Sequence, residues 1–145
     1  MDDFLATAGA VGAAFLLGAL IGAEREWRHH PGGLRSCAIV SSASAAYVLI
    51  MMQVGGNNLA AGLGSLVTGI GFLGAGVILR QGTGVRGLST ASTFWAVAAV
   101  GAACGAHLYA LAVMLALAIG ASHLLLRPIS ERIERAAPPP DDHPR

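Results

Sequence analysis

"GLSTASTFWAVAAVGAACGAHLYALAVMLALAIGASHLLL", residues 87–126, is a run of 40 residues without one charged side chain. About 20 helical residues cross the hydrocarbon core of a bilayer, so the run is too long for one span and must fold back on itself. The place to split it is the Gly101–His107 turn, which gives helices near 89–104 and 107–126. Outward from there, three more apolar runs, near Phe4–Ala23, Ser36–Met52 and Leu59–Leu79, give helices near 4–28, 36–52 and 59–79. The whole chain is 54% hydrophobic and 12% charged, about half the charge fraction of an ordinary soluble domain. The expected fold class is an all-α integral membrane protein, a five-helix transmembrane bundle over residues 1–128.

Orientation follows from arginine. There is no lysine, and the nine arginines fall at Arg25, Arg28 and Arg35 in the first loop, Arg80 and Arg86 in the third, and Arg127, Arg132, Arg135 and Arg145 in the tail. The positive-inside rule therefore puts the N-terminus outside and the C-terminus in the cytoplasm, which requires an odd number of helices. The acidic start, Met-Asp-Asp-Phe, lacks the positive n-region of a cleaved signal peptide, so the first run stays as a helix. Cys37 and Cys104 fall near opposite faces of the bilayer, too far apart for a disulfide. Residues 129–145 read as a charged, proline-rich cytoplasmic tail.

Small residues carry the packing signal. Gly18-x-x-x-Gly22 in the first helix has the spacing that lets two helix backbones touch. The third helix, with Gly62, Gly64, Gly69, Gly71, Gly74 and Gly76, has two nearly bare faces and is expected at the centre of the bundle. Its glycines either permit tight packing alone or mark a locally unwound Thr68–Gly76, with Thr68, Gly69 and Gly71 offering groups to a ligand at the midplane, as broken helices in transporters do. The same glycine faces would suit a homo-oligomer.

Much chemistry is disfavoured by composition. Between Glu26 and Glu131 there is no Asp or Glu, whereas magnesium usually asks for carboxylate oxygens and membrane proton relays use Asp, Glu or His. Only Asn57, Asn58, Thr68 and a few serines supply oxygens there. His107 and His123 are sixteen residues apart on one helix, about 24 Å, too far to share a metal. A serine hydrolase would need Ser41, Ser42, Ser44 or Ser92 beside one of these histidines, with no oriented partner to argue for it. No phosphate loop, nucleotide fingerprint or nucleic-acid surface is present. We expect no enzyme, metal or cofactor.

The densest charge lies in "LIGAEREWRHHPGGLRS", residues 20–36. Membrane exit explains much of it: Glu24 and Arg28 pair at i, i+4, Pro31-Gly32-Gly33 stops the helix, and Trp27 sits where an interfacial anchor belongs. Arg86, Ser89 and Thr90 lie on the same cytoplasmic face, with Ser89 or Thr90 placed to cap the fourth helix. The expectation is a rim cluster of Glu24, Arg25, Arg28, Arg35 and Arg86 around that helix start. It is either an ion-pair lock or a net positive pocket for an anion or a partner's carboxylate.

Together "LGALIGAEREWRHHPGGLRS", "VTGIGFLGAGVILRQGTGVRGLSTASTFWAVAAVG" and the closing "LLLRP" resemble the membrane domain of the MgtC/SapB family over about residues 14–128. The resemblance implies a non-enzymatic, multi-pass protein of the bacterial inner membrane, concerned with magnesium homeostasis or bioenergetic regulation. Family members are associated with growth at low magnesium and with membrane partners such as the ATP synthase. The family's Glu-Arg-x-Trp-Arg and Gly-Leu-Arg fall on Glu24, Arg25, Trp27, Arg28, Gly33, Leu34 and Arg35; its Val-Arg-Gly-Leu-Asn-Thr falls on Val85, Arg86, Gly87, Leu88, Ser89 and Thr90. Serine at 89 and Gln81 depart from the virulence-type pattern. So does the absence of a soluble C-terminal domain, which suggests a short, SapB-like member. Two functions follow: a regulator that binds a membrane partner through the rim, or a transporter of an ion or small solute through the bundle centre.

Overall fold

A computed structural model describes residues 1–54, 59–81 and 84–136. Asn57, Asn58 and the proline-rich end of the tail lie outside them. The chain is an all-α membrane bundle with five helices long and apolar enough to span a bilayer. These are α1 (Asp2–Trp27), α2 (Leu34–Val54), α3 (Leu59–Val77), α4 (Leu88–Gly105) and α5 (Tyr109–Ala121), the last running on through a π-helical turn (Ser122–Leu126). A sixth helix, α6 (Arg127–Ala136), follows. The apolar 87–126 run does fold back, through Ala106–Leu108.

Three helices form the core, with α2 held between α1 and α4. At Gly18 an added Cβ would lie 2.7 Å from the Cys37 carbonyl oxygen, and at Gly22 it would lie 2.6 Å from Leu34 Cα, so α1 meets the α2 backbone at both. The second close approach escaped the sequence reading although its spacing is the same: Gly101-x-x-x-Gly105 on α4. A Cβ at Gly101 would run into the backbone of Ser41, and one at Gly105 would sit 2.9 Å from Ala45 Cα. Ala14, Ile21, Cys37, Ala45, Val97, Val100 and Cys104 fill the space between the three helices. Both cysteines are free and buried.

The expected centrality of the third helix is overturned. Half of the α4 span is buried against 6% of the α3 span. A Cβ at Gly64, Gly69, Gly71 or Gly76 would meet nothing within 4 Å, and one at Gly74 would make only ordinary contact with Ala91. The reason is geometric: a pair at i, i+4 forms a flat strip that a partner backbone can follow, and such pairs on α1 and α4 already occupy α2. The glycines of α3 include no i, i+4 pair, the contact of Gly62 with α2 is only to the Met51 side chain, and α3 takes the periphery. Nor is Thr68–Gly76 unwound, since α3 is helical throughout.

Two helix stops also differ from expectation. Helix α1 ends before Pro31: His29, at φ 57°, donates to the Glu26 carbonyl, and His30 donates to the Arg25 carbonyl. Helix α4 ends in the same way, with His107 at φ 59° and Leu108 donating to Ala103. Both are Schellman motifs, with histidine in the left-handed position that glycine usually fills. Between α3 and α4, where only a loop was expected, β1 (Leu79–Gln81) pairs antiparallel with β2 (Gly84–Arg86), Leu79 opposite Arg86.

Candidate functional site

The site is built round Arg25, which is 2% exposed. It lies at the C-terminal end of α1, on the face that turns toward α4, and its guanidinium spends itself on four neutral acceptors. Nη1 donates to Thr93 Oγ1 at 2.9 Å, Nη2 to Thr90 Oγ1 at 2.9 Å and to the Pro31 carbonyl at 2.8 Å, and Nε to the Gly32 carbonyl at 3.3 Å. Thr90 and Thr93 are three apart on α4, so both hydroxyls face the same guanidinium. Only the planar fork of an arginine can span two helices and a loop in this way. The fork also holds Pro31 and Gly32 against α4, and Glu26 Oε2 accepts from the Leu34 N–H at the start of α2.

The neighbouring acid, Glu24, has two basic partners, Arg28 and His123. Oε1 is in ion-pair contact with Arg28 Nε, without hydrogen-bond alignment. Oε2 lies 3.1 Å from His123 Nδ1, and His123 Nε2 lies 3.3 Å from Thr93 Oγ1. A carboxylate only accepts, so Nδ1 carries a proton. Thr93 has one proton and two claims on it, because its hydroxyl also reaches the Ser89 carbonyl at 2.8 Å. If that proton goes to Ser89, Nε2 must donate and the ring is an imidazolium; if it turns to Nε2, the ring is neutral. Thr93 and His123 therefore share a choice of protonation that the α4 backbone helps to set.

His123 reaches this place from the π-helical turn at the end of α5. Sequence reasoning weighed it only as a metal ligand or a hydrolase base, and it left out Thr93 altogether. The legible signal was a histidine near the end of an apolar span at the same depth as Glu24. π-turns frequently mark functional sites.

The pocket that results, about 310 Å³, is lined by Glu24, Arg25, Arg28, His30, Ser89, Ser122, His123, Leu126 and Ser130. Among the described side chains, two arginines against one glutamate leave it net positive. Arg35 and Arg86 do not join it: both are exposed, Arg35 beside Glu26 and His29 on the other side of the loop, Arg86 on the hairpin. Trp27 is 88% exposed. The expected cap at α4 is also corrected, since Gly87, at φ 93°, takes that position with no side-chain hydrogen bond. Thr90 is instead committed to Arg25 and Pro31.

The other candidates separate from the rim. The Thr68 hydroxyl donates to the Gly64 carbonyl of its own helix at 2.9 Å and faces outward with Gly69 and Gly71. Ser42 and Ser92 likewise donate to carbonyls four residues back, while Ser41 and Ser44 are buried with no hydrogen-bond partner among the described residues. Among the described residues, none of the four pairs with a histidine.

These residues sit within a stretch that known proteins share. Residues 11–132 match the sequence pattern of the MgtC family. Protein MgtC of Salmonella typhimurium (strain LT2) is 44% identical over 123 residues, 85% of this chain and 53% of the relative, and Protein MgtC of Brucella abortus (strain 2308) is 44% identical over 129 residues, 88% and 54%. The chain belongs to the MgtC family. It spans about half the length of these curated relatives, and no solved structure matches it. MgtC membership together with five apolar helices makes it a multi-pass membrane protein. The MgtC match takes in the whole rim, from Glu24 to Ser130, and nothing in the name indicates catalysis.

Proposed function

We propose that this MgtC-family protein acts by binding rather than catalysis, docking a membrane partner on the cytoplasmic rim of the inner membrane. Magnesium homeostasis or bioenergetic regulation is the process it would serve. The observation that carries the reading is where the polar groups lie. Arg25, Glu24, Arg28 and His123 gather at one end of the bundle, while Thr68 spends its hydroxyl within its own helix and Gly69 and Gly71 look outward. A regulator needs such a rim. A carrier needs a polar path to the midplane, and the residues proposed for one lie on the outside. Outside the pocket, Trp27, Arg35 and Arg86 stand exposed, as side chains that anchor a partner do.

Flux into proteoliposomes decides between the two. Magnesium and proton uptake by the wild-type protein is expected at the level of empty liposomes, unchanged by Glu24→Gln or Thr68→Val. Saturable flux abolished by either substitution would replace the regulator with a transporter. A photo-crosslinker at Trp27 or Arg35 is expected to capture a membrane protein in cells, with capture lost on swapping Arg35 and Arg86 for glutamate.

A further inference from the structure

The rim pocket continues into the membrane. Below it, between α1 and α5, runs a second space of about 250 Å³ walled by Leu17, Leu20, Ile21, Val113, Leu117 and Gly120. Glu24 and His123 border both spaces, so the charged pocket and the apolar groove meet at that pair. The groove runs from Leu17 to Glu24 on α1, about 10 Å by helical rise, and it lies within two membrane-spanning helices. We propose that pocket and groove together form a binding site for an anionic phospholipid, with one acyl chain along the α1–α5 groove and the headgroup phosphate in the pocket.

Charge complementarity selects this occupant. Glu24 is already offset by Arg28 and faces the His123 Nδ1–H, whereas Arg25 has only neutral acceptors, which leaves a buried positive charge with no carboxylate of its own among the described residues. Arg28 turns Nε to Glu24, and among the described residues its two terminal nitrogens make no hydrogen bond. These are paired donors of the geometry that suits a phosphate. Ser89 and Ser130 add hydroxyls at the mouth. A basic pocket between transmembrane helices is the recognised setting for an anionic headgroup. A zwitterionic lipid brings an ammonium to the same arginines, and free phosphate makes no use of the groove.

The site requires no protein partner, so lipid binding by the purified protein tests it separately from the docking reading. The protein in detergent is incubated with phosphatidylglycerol, with phosphatidylethanolamine of the same chains, or with inorganic phosphate, and bound lipid is counted by native mass spectrometry. Phosphatidylglycerol is expected to be retained at least tenfold over phosphatidylethanolamine. Arg28→Gln should remove that preference, Leu117→Trp should block retention of both lipids by filling the groove, and Arg135→Gln, exposed on α6 outside the site, should leave wild-type values. Equal retention of the two lipids by the wild type overturns the proposal, and that arm needs no variant to fold. Displacement of phosphatidylglycerol by millimolar phosphate also overturns it, because the site would then hold a free anion and the groove would be incidental.

Discussion

At the scale of the residue, Arg25 is the side chain on which the rim depends. Hydrogen bonds from a charged donor stabilise by about 1.5–3 kcal/mol each, and their loss is partly offset by the desolvation cost that a neutral replacement avoids. Arg25→Gln is accordingly expected to lower stability by about 2–4 kcal/mol, read as thermal unfolding in detergent. Arg25→Lys should recover less than half of the loss, since an ammonium on a flexible stem cannot reach Thr90, Thr93, Pro31 and Gly32 together. Full recovery by lysine would show that charge alone matters and that the fork does not. Glu24, Arg25 and Arg28 were legible in the sequence because charge at the edge of an apolar run stands out. Thr93 was not, since a threonine on an apolar helix gives no signal until the helix is known to cross α1 at that height; His123 showed only as a histidine near the end of an apolar span.

At the scale of the element, glycine spacing decides which helices touch. Gly101→Ala pushes a methyl group into the backbone of Ser41, so one of the two helices must shift. It should cost about 3 kcal/mol, the upper part of the usual range for overpacking. Gly69→Ala and Gly71→Ala meet open space and should hold or raise stability, by up to about 1 kcal/mol where glycine's helix penalty is relieved. Thermal melts of the three variants side by side check this. A Gly69→Ala protein that melts normally yet runs at a smaller size would mean that a second copy covers the α3 face. The existence of all five spans could be read from apolar length. Their neighbours could not, because hydropathy records burial away from water and a lipid-facing helix is as apolar as a central one. The close-approach spacing was the missing guide: it was read on α1 and overlooked on α4.

At the scale of the whole molecule, the arginines of the described chain cluster about the α1–α2 turn, on the hairpin and on α6, and the positive-inside rule predicts a cytoplasmic position for that end. In intact cells, a cysteine placed at Asp3 should react with an impermeant maleimide, and one at Ser36 should not until the membrane is opened. The reverse pattern would turn the bundle over and move the rim to the outer face. The bundle's nesting also has a consequence in time. Helix α2 is completed at Val54, but α4, which closes its second face through Gly101 and Gly105, ends only at Gly105. At ribosomal rates of about 5–20 residues per second, α2 waits roughly 3–10 s with that face uncovered. During the delay the helix that emerges next is α3, a natural wrong partner. Its glycines include no i, i+4 pair for the α2 backbone to follow, so the arrival of α4 meets a vacant seat.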